Sequence, residues 1–507
     1  MAVTNSPFLS RLGTNYVPSD GEIDAIHGLL AGPEAVMSRN MAEIEKLQER
    51  ILQLQTEIQP LKSFADAHRA LISPFRRLPI EIVQLVFVAC LPTIHNALID
   101  PAHAPLLLGR VCKHWRDVSH QTPRLWTSVH IPISHVTQSY DVALAPLVHI
   151  WLTRSGMLPL DISVTTVPYQ TSLSNPLEGS KTILALLPFT RRMRQLHLCA
   201  FTEELAPILA LGASAFPLLE DVAIHCPGSP GLLVAWDLHM FAASRLHTVS
   251  LYVTMAQPAP TLSLPWASLT ELNISCFRSE RNDVSADSGL NQNQILSLLR
   301  LCSNLVRCSV RATVDEAFIG SKEAVGLPNL VLLHLCYHIN FPEFLKHINA
   351  PRLAYLQVRH NTRDSWYEVL RTAIPPDSFT LVVQDYRINE NVTLDLLTQF
   401  PKTTHLVIGT SISILEWHPE LCPLLRDLTV SKCSLSDSSF CQLIRSRSPT
   451  LRRVKTTFTR LPRSDMFTSL QDLVDIGLNL ELVFVDRNAE QATGFVSTRG
   501  IEFVAGY

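Results

Sequence analysis

Residues Pro351–Arg359 read PRLAYLQVR and contain the pattern that predicts most of the fold. Leu353 is followed by apolar residues three and five positions later, at Leu356 and Val358. Such alternation is typical of a β-strand with one buried face. Pro351 cannot continue a helix and favours extended backbone in its neighbourhood. The stretch therefore predicts the end of a helix followed at once by a strand.

The same pattern recurs along the rest of the chain. Successive copies begin 22 to 27 residues apart, except for one interval of 36 that holds a polar insertion. The copies begin at Met193, Leu219, Leu246, Leu269, Leu305, Leu330, Leu353, Ser378, Thr403, Leu425 and Leu451. Proline stands two positions before the start in seven of the eleven copies, which chance alternation would not produce: Pro217, Pro328, Pro351, Pro376, Pro401, Pro423 and Pro449.

This period resembles the leucine-rich repeat, whose units span about 20–29 residues. Helix-like pieces such as NQILSLLRLCSNL lie between the copies, so each unit should contain a strand, a loop and a helix. We expect an α/β fold in which residues 191–507 form an irregular leucine-rich-repeat solenoid with a curved parallel sheet. Residues 127–190 are expected to connect to it through strands and helices. Two of those strands, in LWTSVHIPI and LPLDISV, could begin the sheet.

Composition narrows the class of protein. The 507-residue chain is 47% hydrophobic and 17% charged, which favours a large buried core over disorder. Its net charge of −3 offers no general attraction to nucleic acid or to an anionic membrane. Its 11 cysteines form no CxxC pair, and the chain shows no apolar signal core and no membrane-length apolar run. These features favour reduced thiols and a cytoplasmic or nuclear protein.

The N-terminal region divides into two parts. Residues 1–36 show no sustained periodicity and predict a flexible arm. Residues 37–70 carry a heptad pattern between Ile44 and Leu61, and Pro60 is expected to kink or end this helix. Two interpretations remain open: the helix packs on its own chain, or residues 44–61 form a homodimer.

Residues 74–126 carry more apolar surface than a unit of their size should bury. The helix predicted from Ile80 to Leu91 is apolar nearly all round, and a second helix places Leu108, Val111, Cys112, Trp115 and Val118 on one face. A unit of about 50 residues is near the lower limit for an independent core. The excess must therefore face the rest of the chain or a partner.

These residues resemble an F-box of the large fungal F-box set. The matching pieces are LPIEI from Leu78, the apolar helix, VCKHW from Val111, and the closing Leu125–Trp126. The stretch between Leu91 and Leu107 is longer than is usual in that family. The resemblance implies docking on the small adaptor subunit of a cullin–RING ubiquitin ligase. The matched positions expected to contact the adaptor are Leu78, Pro79, Ile82, Leu85, Leu108 and Trp115. At each of these positions, the alternative is that the side chain packs in the protein's own core and contacts no adaptor.

A target protein would bind the strand face opposite the buried one. The residues expected to line that face are His197, His225, Tyr252, Asn273, Arg307, Arg311, His334, Tyr355, Gln357 and Arg359. We expect target binding at Arg307, Arg311, His334, Tyr355 and Arg359, because arginine suits acidic or phosphorylated peptides. The alternative is an ordinary solvated polar face.

No motif predicts catalysis, a metal or a cofactor. HLCYH at His334 has metal-ligand residue types but no indicated fourth ligand, and GSKT at Gly179 lacks the upstream glycine of a phosphate loop. Together with the F-box resemblance, this implies a non-catalytic substrate receptor of an SCF-type ligase. The rival interpretations are an interaction scaffold with no ubiquitin role and a hydrolase hidden in the repeats.

Overall fold

A computed structural model describes most of the chain. The described residues are 6–133, 138–166, 180–226, 239–253, 263–276, 290–312, 317–319, 323–337, 339–359, 374, 378–383, 388–409, 412–458 and 466–484. The chain divides into two compact units, Met1–Leu85 and Val86–Tyr507. The polar insertion 277–289 and His338 lie outside the described residues.

The first unit is dominated by one long helix, α1, Asp20–Leu71. It begins within the segment predicted as a flexible arm, so that prediction is wrong from residue 20 onward. The reason is local: the Glu22 carboxylate accepts hydrogen bonds at 2.8 Å from the Ser19 amide and hydroxyl, which holds the first turn. Pro60 lies inside the helix and does not end it.

The second unit combines short helices with many strands. Helix α2, Ile80–Ala89, contains the division between the units. The later helices are α3 Leu108–Val111, α4 Lys113–His120, α5 Gln138–Arg154, α6 Lys181–Leu186, α7 Thr202–Leu209, α8 Gln292–Leu301, α9 Phe341–Lys346, α10 Glu390–Gln399, α11 Ser413–Trp417, α12 Asp437–Arg447 and α13 Met466–Asp475.

The strands follow one another at similar intervals along the chain. They are β1 Ser128–Ile133, β2 Leu160–Thr166, β3 Met193–Cys199, β4 Asp221–His225, β5 Thr248–Val253, β6 Glu271–Cys276, β7 Arg307–Ala312, β8 Val325–Gly326, β9 Leu332–Tyr337, β10 Ile348–Asn349, β11 Tyr355–Arg359, β12 Thr380–Val383, β13 His405–Ile408, β14 Asp427–Cys433, β15 Arg453–Phe458 and β16 Asn479–Phe484.

Within the described residues, 14 of these strands form one sheet in chain order, with β8 and β10 paired separately. Every neighbouring pair in the large sheet is parallel, from β1–β2 to β15–β16. The two strands predicted ahead of the repeat are β1 and β2, and they begin the sheet. The fold is thus α/β with a long parallel sheet, as the sequence predicted.

The register of the sheet follows the register of the sequence repeat. From the copy at Leu219 to the copy at Leu451, each strand begins two residues after the predicted start. The residue three positions after each start then pairs with its counterpart on the next strand. This buried row comprises Leu196, Val222, Val249, Leu272, Cys308, Leu333, Leu356, Leu381, Leu406, Leu428 and Val454. Each strand therefore buries the face that the alternation assigned to it.

Helices lie between strands where the repeat predicted them. Helix α10 ends at Gln399 just before Pro401, and α12 ends at Arg447 just before Pro449. Both helices bury apolar side chains, such as Leu396 and Phe440. Since proline removes an amide donor and clashes with a preceding turn, it fixes where each helix gives way to the next strand.

Residues 86–126 share a core with the rest of the second unit. The Trp126 ring lies edge-on at 5.0 Å from that of Trp151 on α5, and its indole N–H donates to the Ser119 carbonyl at 2.9 Å. Trp126 and Leu125 are fully enclosed. The predicted boundaries 74–126 therefore differ from the observed division, because the closing Leu-Trp pair belongs to the core of the second unit.

Among the described residues, no helix combines the length and the apolar character needed to cross a membrane.

Candidate functional site

An apolar face on residues 78–85 is the first candidate interaction surface. Leu78, Ile82 and Leu85 are 38%, 42% and 55% exposed, and Pro79 is also exposed. Ile82 and Leu85 are three positions apart on α2, so they lie on one face of the helix, and Leu78 and Pro79 immediately precede it. Val83, by contrast, is 2% exposed. Apolar side chains therefore lie both on the buried side of α2, at Val83, and on its exposed side, at Ile82 and Leu85.

Within the second unit, the predicted single helix through Leu108 and Val118 is in fact two helices. Cys112 is extended, with φ −158° and ψ 171°, and separates α3 from α4. Its Sγ accepts a hydrogen bond from the Trp115 amide at 3.4 Å, so the thiol caps α4. The break rotates the two helices out of a common face, which is why the predicted stripe is not continuous.

This break separates the predicted adaptor-contact residues of this part of the chain. Leu108 is only 6% exposed and packs in the core of the unit. Trp115 is half-buried, with its ring centroid 4.9 Å from that of Phe87. Val111, which the sequence placed on the same face, is exposed, and so is Val86, which the sequence analysis did not single out. The sequence did contain a signal for the exposure of Val86, because the helix that contains this residue is apolar nearly all round.

The long stretch between Leu91 and Leu107 packs on the first edge of the sheet. The His130 amide of β1 donates to the Ala97 carbonyl at 2.8 Å, and Leu98 forms a parallel bridge with His130. The Asn96 amide group donates to the Ser163 hydroxyl on β2 at 3.0 Å. This stretch therefore covers a strand edge that would otherwise present unpaired backbone groups.

The second candidate surface lies on β7, β9 and β11. In the paired register, Arg307 and Tyr355 flank Leu332, while Arg311 and Arg359 flank Cys336. His334 lies between Ser309 and Gln357 in the row between them. The structure thus brings all five predicted target-binding residues together on neighbouring strands: Arg307, Arg311, His334, Tyr355 and Arg359. We call this group the three-strand patch.

The three-strand patch is less open than the sequence suggested. Arg311 and His334 are 7% and 4% exposed, and Asn273 and Gln357 are buried as well. Arg307, Tyr355 and Arg359 keep partial exposure. Tyr355 and Ile374 pack against the enclosed Leu332, so apolar side chains cover part of this face. The expected solvated lining is therefore wrong for the central residues, and accessible surface remains around them.

Electrostatics in the patch keep its histidine neutral. Burial, followed by the nearby charges of Arg359 and Arg311, lowers the pKa of His334 to about 3. Its ring nitrogens lie 3.1 Å from the Ser309 hydroxyl and 2.9 Å from the Cys336 thiol. Both guanidinium groups disfavour a further positive charge on the ring, and burial disfavours it most.

Two contacts join the patch to strands beside it, and the sequence analysis predicted neither contact. The Arg311 guanidinium lies 5.6 Å from the ring centroid of Tyr252 on β5, within the range of a cation–π contact. The Arg307 Nε lies 3.8 Å from a carboxylate oxygen of Glu271 on β6. Glu271 pairs with Arg307 in the register of β6 and β7. Both residues stand two positions after the start of their repeat copy, so the repeat spacing could have predicted that they are neighbours.

Metal binding has no support among the residues that the structure describes. No group of three histidine, cysteine, aspartate or glutamate side chains is placed to hold an ion there. The HLCYH stretch supplies His334 and Cys336 in contact, while its second histidine lies outside the described residues.

No protein-family model matches this chain, and no curated protein matches it either.

Proposed function

We propose that the protein is a non-catalytic substrate receptor of an SCF-type cullin–RING ubiquitin ligase. The exposed apolar face at Leu78, Ile82 and Leu85 carries this proposal. Contiguous apolar side chains on a helix are rarely left in water unless they mark an interaction site. They coincide with the residues through which this stretch resembles an F-box, whose partner is the ligase's small adaptor subunit.

The proposed adaptor contacts follow the observed exposure. Leu78, Pro79, Ile82 and Leu85 are placed to bury apolar area against another protein. By the resemblance, the partly exposed Trp115 of the second unit is a further proposed contact, since large aromatic side chains often dominate interface energies. Leu108 supports the fold behind the surface, because it is buried in its own chain.

The repeat region is proposed to hold the target protein. Each copy of the repeat contributes one strand, and that strand pairs with the strand of the next copy. This pairing supports a leucine-rich-repeat-like solenoid with a curved parallel sheet, a class of fold that presents a long binding face. The arginine side chains of the three-strand patch suit an acidic or phosphorylated peptide. In this scheme the chain provides proximity, raising the local concentration of target lysines near the ligase's conjugating enzyme. We propose a cytosolic or nuclear setting for it.

Binding of purified adaptor to the full chain tests the proposal. The double change Ile82→Glu and Leu85→Glu places charge on the apolar face without touching the buried Val83. We expect affinity to fall by at least about tenfold, which corresponds to about 1.4 kcal/mol. Isothermal titration calorimetry measures this directly.

The matched control is Leu147→Glu with Ile150→Glu on α5, where two exposed apolar residues are also replaced. The control should bind the adaptor like the unchanged protein. No adaptor binding by the unchanged chain, or equal loss in both variants, would favour the scaffold interpretation, in which the protein has interaction surfaces but no ubiquitin role.

A further inference from the structure

Helix α1 is a long element whose described side chains all remain at least partly exposed. It spans 52 residues, and none of its described side chains is buried. Helical stability in proteins comes mainly from packing an apolar face, because propensity alone sustains isolated helices poorly. A helix this exposed therefore points to a partner that covers one side.

The sequence of α1 strengthens the argument that a partner covers one side of this helix. Gly21, Gly28, Gly32 and Pro33 fall in the N-terminal part of the helix, and Pro60 falls near its C-terminal end. Glycine and proline are the least favourable residues in a helix interior. A chain that is helical through all of them needs compensating contacts along its length.

The helix carries one continuous seam that could supply those contacts. The heptad steps seen from Ile44 to Leu61 extend back to Ile23 once the helix is known to begin at Asp20. Ten of the twelve seam positions between residues 23 and 61 are apolar, the exceptions being Pro33 and Asn40. The apolar members are Ile23, Ile26, Leu30, Met37, Ile44, Leu47, Ile51, Leu54, Ile58 and Leu61. All except the partly exposed Ile26 are exposed.

We propose that α1 forms a parallel two-stranded coiled coil with the α1 helix of a second copy of this chain. The best-preserved heptads have isoleucine at the first core position, in Ile44, Ile51 and Ile58. They have leucine at the second, in Leu47 and Leu54. Isoleucine followed by leucine in these positions favours two parallel strands.

The residues beside the seam are complementary in the same arrangement. In a parallel pair, each residue just before a first core position meets the residue five positions later on the other helix. That rule brings Glu57 of one copy to Lys62 of the other, and it joins Arg50 to Gln55 and Glu43 to Gln48. One pair is attractive and none is like-charged, so a second copy satisfies both the seam and its flanks. This proposal does not depend on the proposed ligase role.

Light scattering on the full chain after size-exclusion chromatography tests it. We expect a mass of twice the 56.6 kDa chain at micromolar concentration. Leu47→Lys with Leu54→Lys should halve that mass, because two lysines would enter the seam of each helix. The matched control, Gln53→Lys with Thr56→Lys, adds the same charge off the seam and should keep the dimer mass. Circular dichroism of each variant checks that the sheet remains folded.

Orientation is tested with Leu54→Cys, since no cysteine precedes Cys90 in the chain. Parallel helices bring this position next to itself, so oxidation should link two copies through it. Gln53→Cys controls for the background from the exposed Cys90 and Cys112. A single-chain mass for the unchanged protein, or a mass above two chains, overturns the proposal. A dimer that the seam lysines leave intact, or that forms no link at the seam cysteine, overturns it as well.

Discussion

At the scale of single residues, Cys112 shows how one side chain sets local geometry. Its extended backbone ends α3, and its sulfur satisfies an amide at the start of α4. The thiol is exposed, so its effect on stability should come from capping more than from burial. A helix wheel drawn through residues 108–118 hides this break, because cysteine is seldom read as a capping residue.

Replacing Cys112 should therefore separate capping from packing. We expect Cys112→Val to lower the free energy of unfolding by about 1 kcal/mol, since valine offers no acceptor at the helix start. Cys112→Ser keeps an acceptor and should be neutral or slightly stabilising. Urea unfolding followed by tryptophan fluorescence measures both. Equal stability of the valine and serine variants would show that the sulfur contact has no capping role.

His334 gives a prediction about pH. Its folded pKa of about 3 lies below the ordinary value near 6.5, so the unfolded chain takes up the proton first as the pH falls. The stability that the neutral ring contributes is present above about pH 6.5 and is lost as the pH falls toward 3. We expect the unchanged protein to lose about 2 kcal/mol more than His334→Gln between pH 6.5 and 5.

Denaturant unfolding at several pH values measures that difference. The buried His130 and His225, whose pKa values are also lowered by burial, remain in both proteins and cancel in the comparison. His103→Gln, at an exposed position, controls for loss of a histidine as such. Stability curves that stay parallel for the unchanged protein and His334→Gln would contradict the prediction.

At the scale of elements, strands were predictable because a short-range rule fixes them. The apolar residues of PRLAYLQVR alternate, and the same alternation with its proline marks the next four strands, β12 to β15, within a few residues, whereas no predicted copy marks β16. Register then follows, because a shift by one residue would turn Leu356 and its equivalents out of the core. The start of α1 had a local signal too, in Ser19 and Glu22, which lay within a stretch that otherwise looked irregular.

Burial of the strand face opposite the core could not be predicted in the same way. Alternation assigns His334 and Gln357 to a face but does not say what covers that face. Ile374, which belongs to no predicted strand, packs on Leu332. The candidate residues were therefore placed correctly in the sheet, while their exposure depended on contacts that no local pattern encodes.

Arg447 joins two elements and supports a prediction at this scale. It lies at the end of α12, and its guanidinium donates at 2.7, 3.2 and 3.1 Å to the carbonyls of Leu421, Leu415 and His418 around the end of α11. We expect Arg447→Leu to reduce the free energy of unfolding by about 2–4 kcal/mol, because buried carbonyls lose a charged donor. Thermal unfolding by calorimetry measures the effect.

Arg445, two positions earlier, supplies the control. It pairs with Asp472 at 2.7 Å on the surface, and such exposed ion pairs contribute at most about 1 kcal/mol. Arg445→Leu should therefore change stability little. A loss as large as that of Arg447→Leu would mean that arginine at the end of α12 acts through the helix itself and not through the carbonyls of the preceding segment.

At the scale of the whole molecule, the parallel sheet makes distant parts of the sequence into neighbours. Arg307 and Arg359 are 52 positions apart, yet only β9 lies between their strands. The three-strand patch thus exists only when the repeat is fully paired, and its grouping of arginine side chains belongs to the assembled sheet. Binding at this patch should respond to charge on the sheet face more than to any single contact.

That property leads to a prediction for peptide binding, resting on the proposed target role of the patch. We expect Arg307→Gln with Arg359→Gln to weaken binding of a phosphorylated acidic peptide by about tenfold, equivalent to about 1.4 kcal/mol. Added salt should weaken binding to the unchanged protein more than to this variant, because less of the variant's affinity is electrostatic.

Arg453→Gln with Lys455→Gln removes two exposed positive charges from β15 in the same sheet and should leave binding unchanged. Fluorescence anisotropy on the full chain measures all three proteins. Equal weakening by both pairs would assign the effect to overall charge and remove the three-strand patch as the binding site.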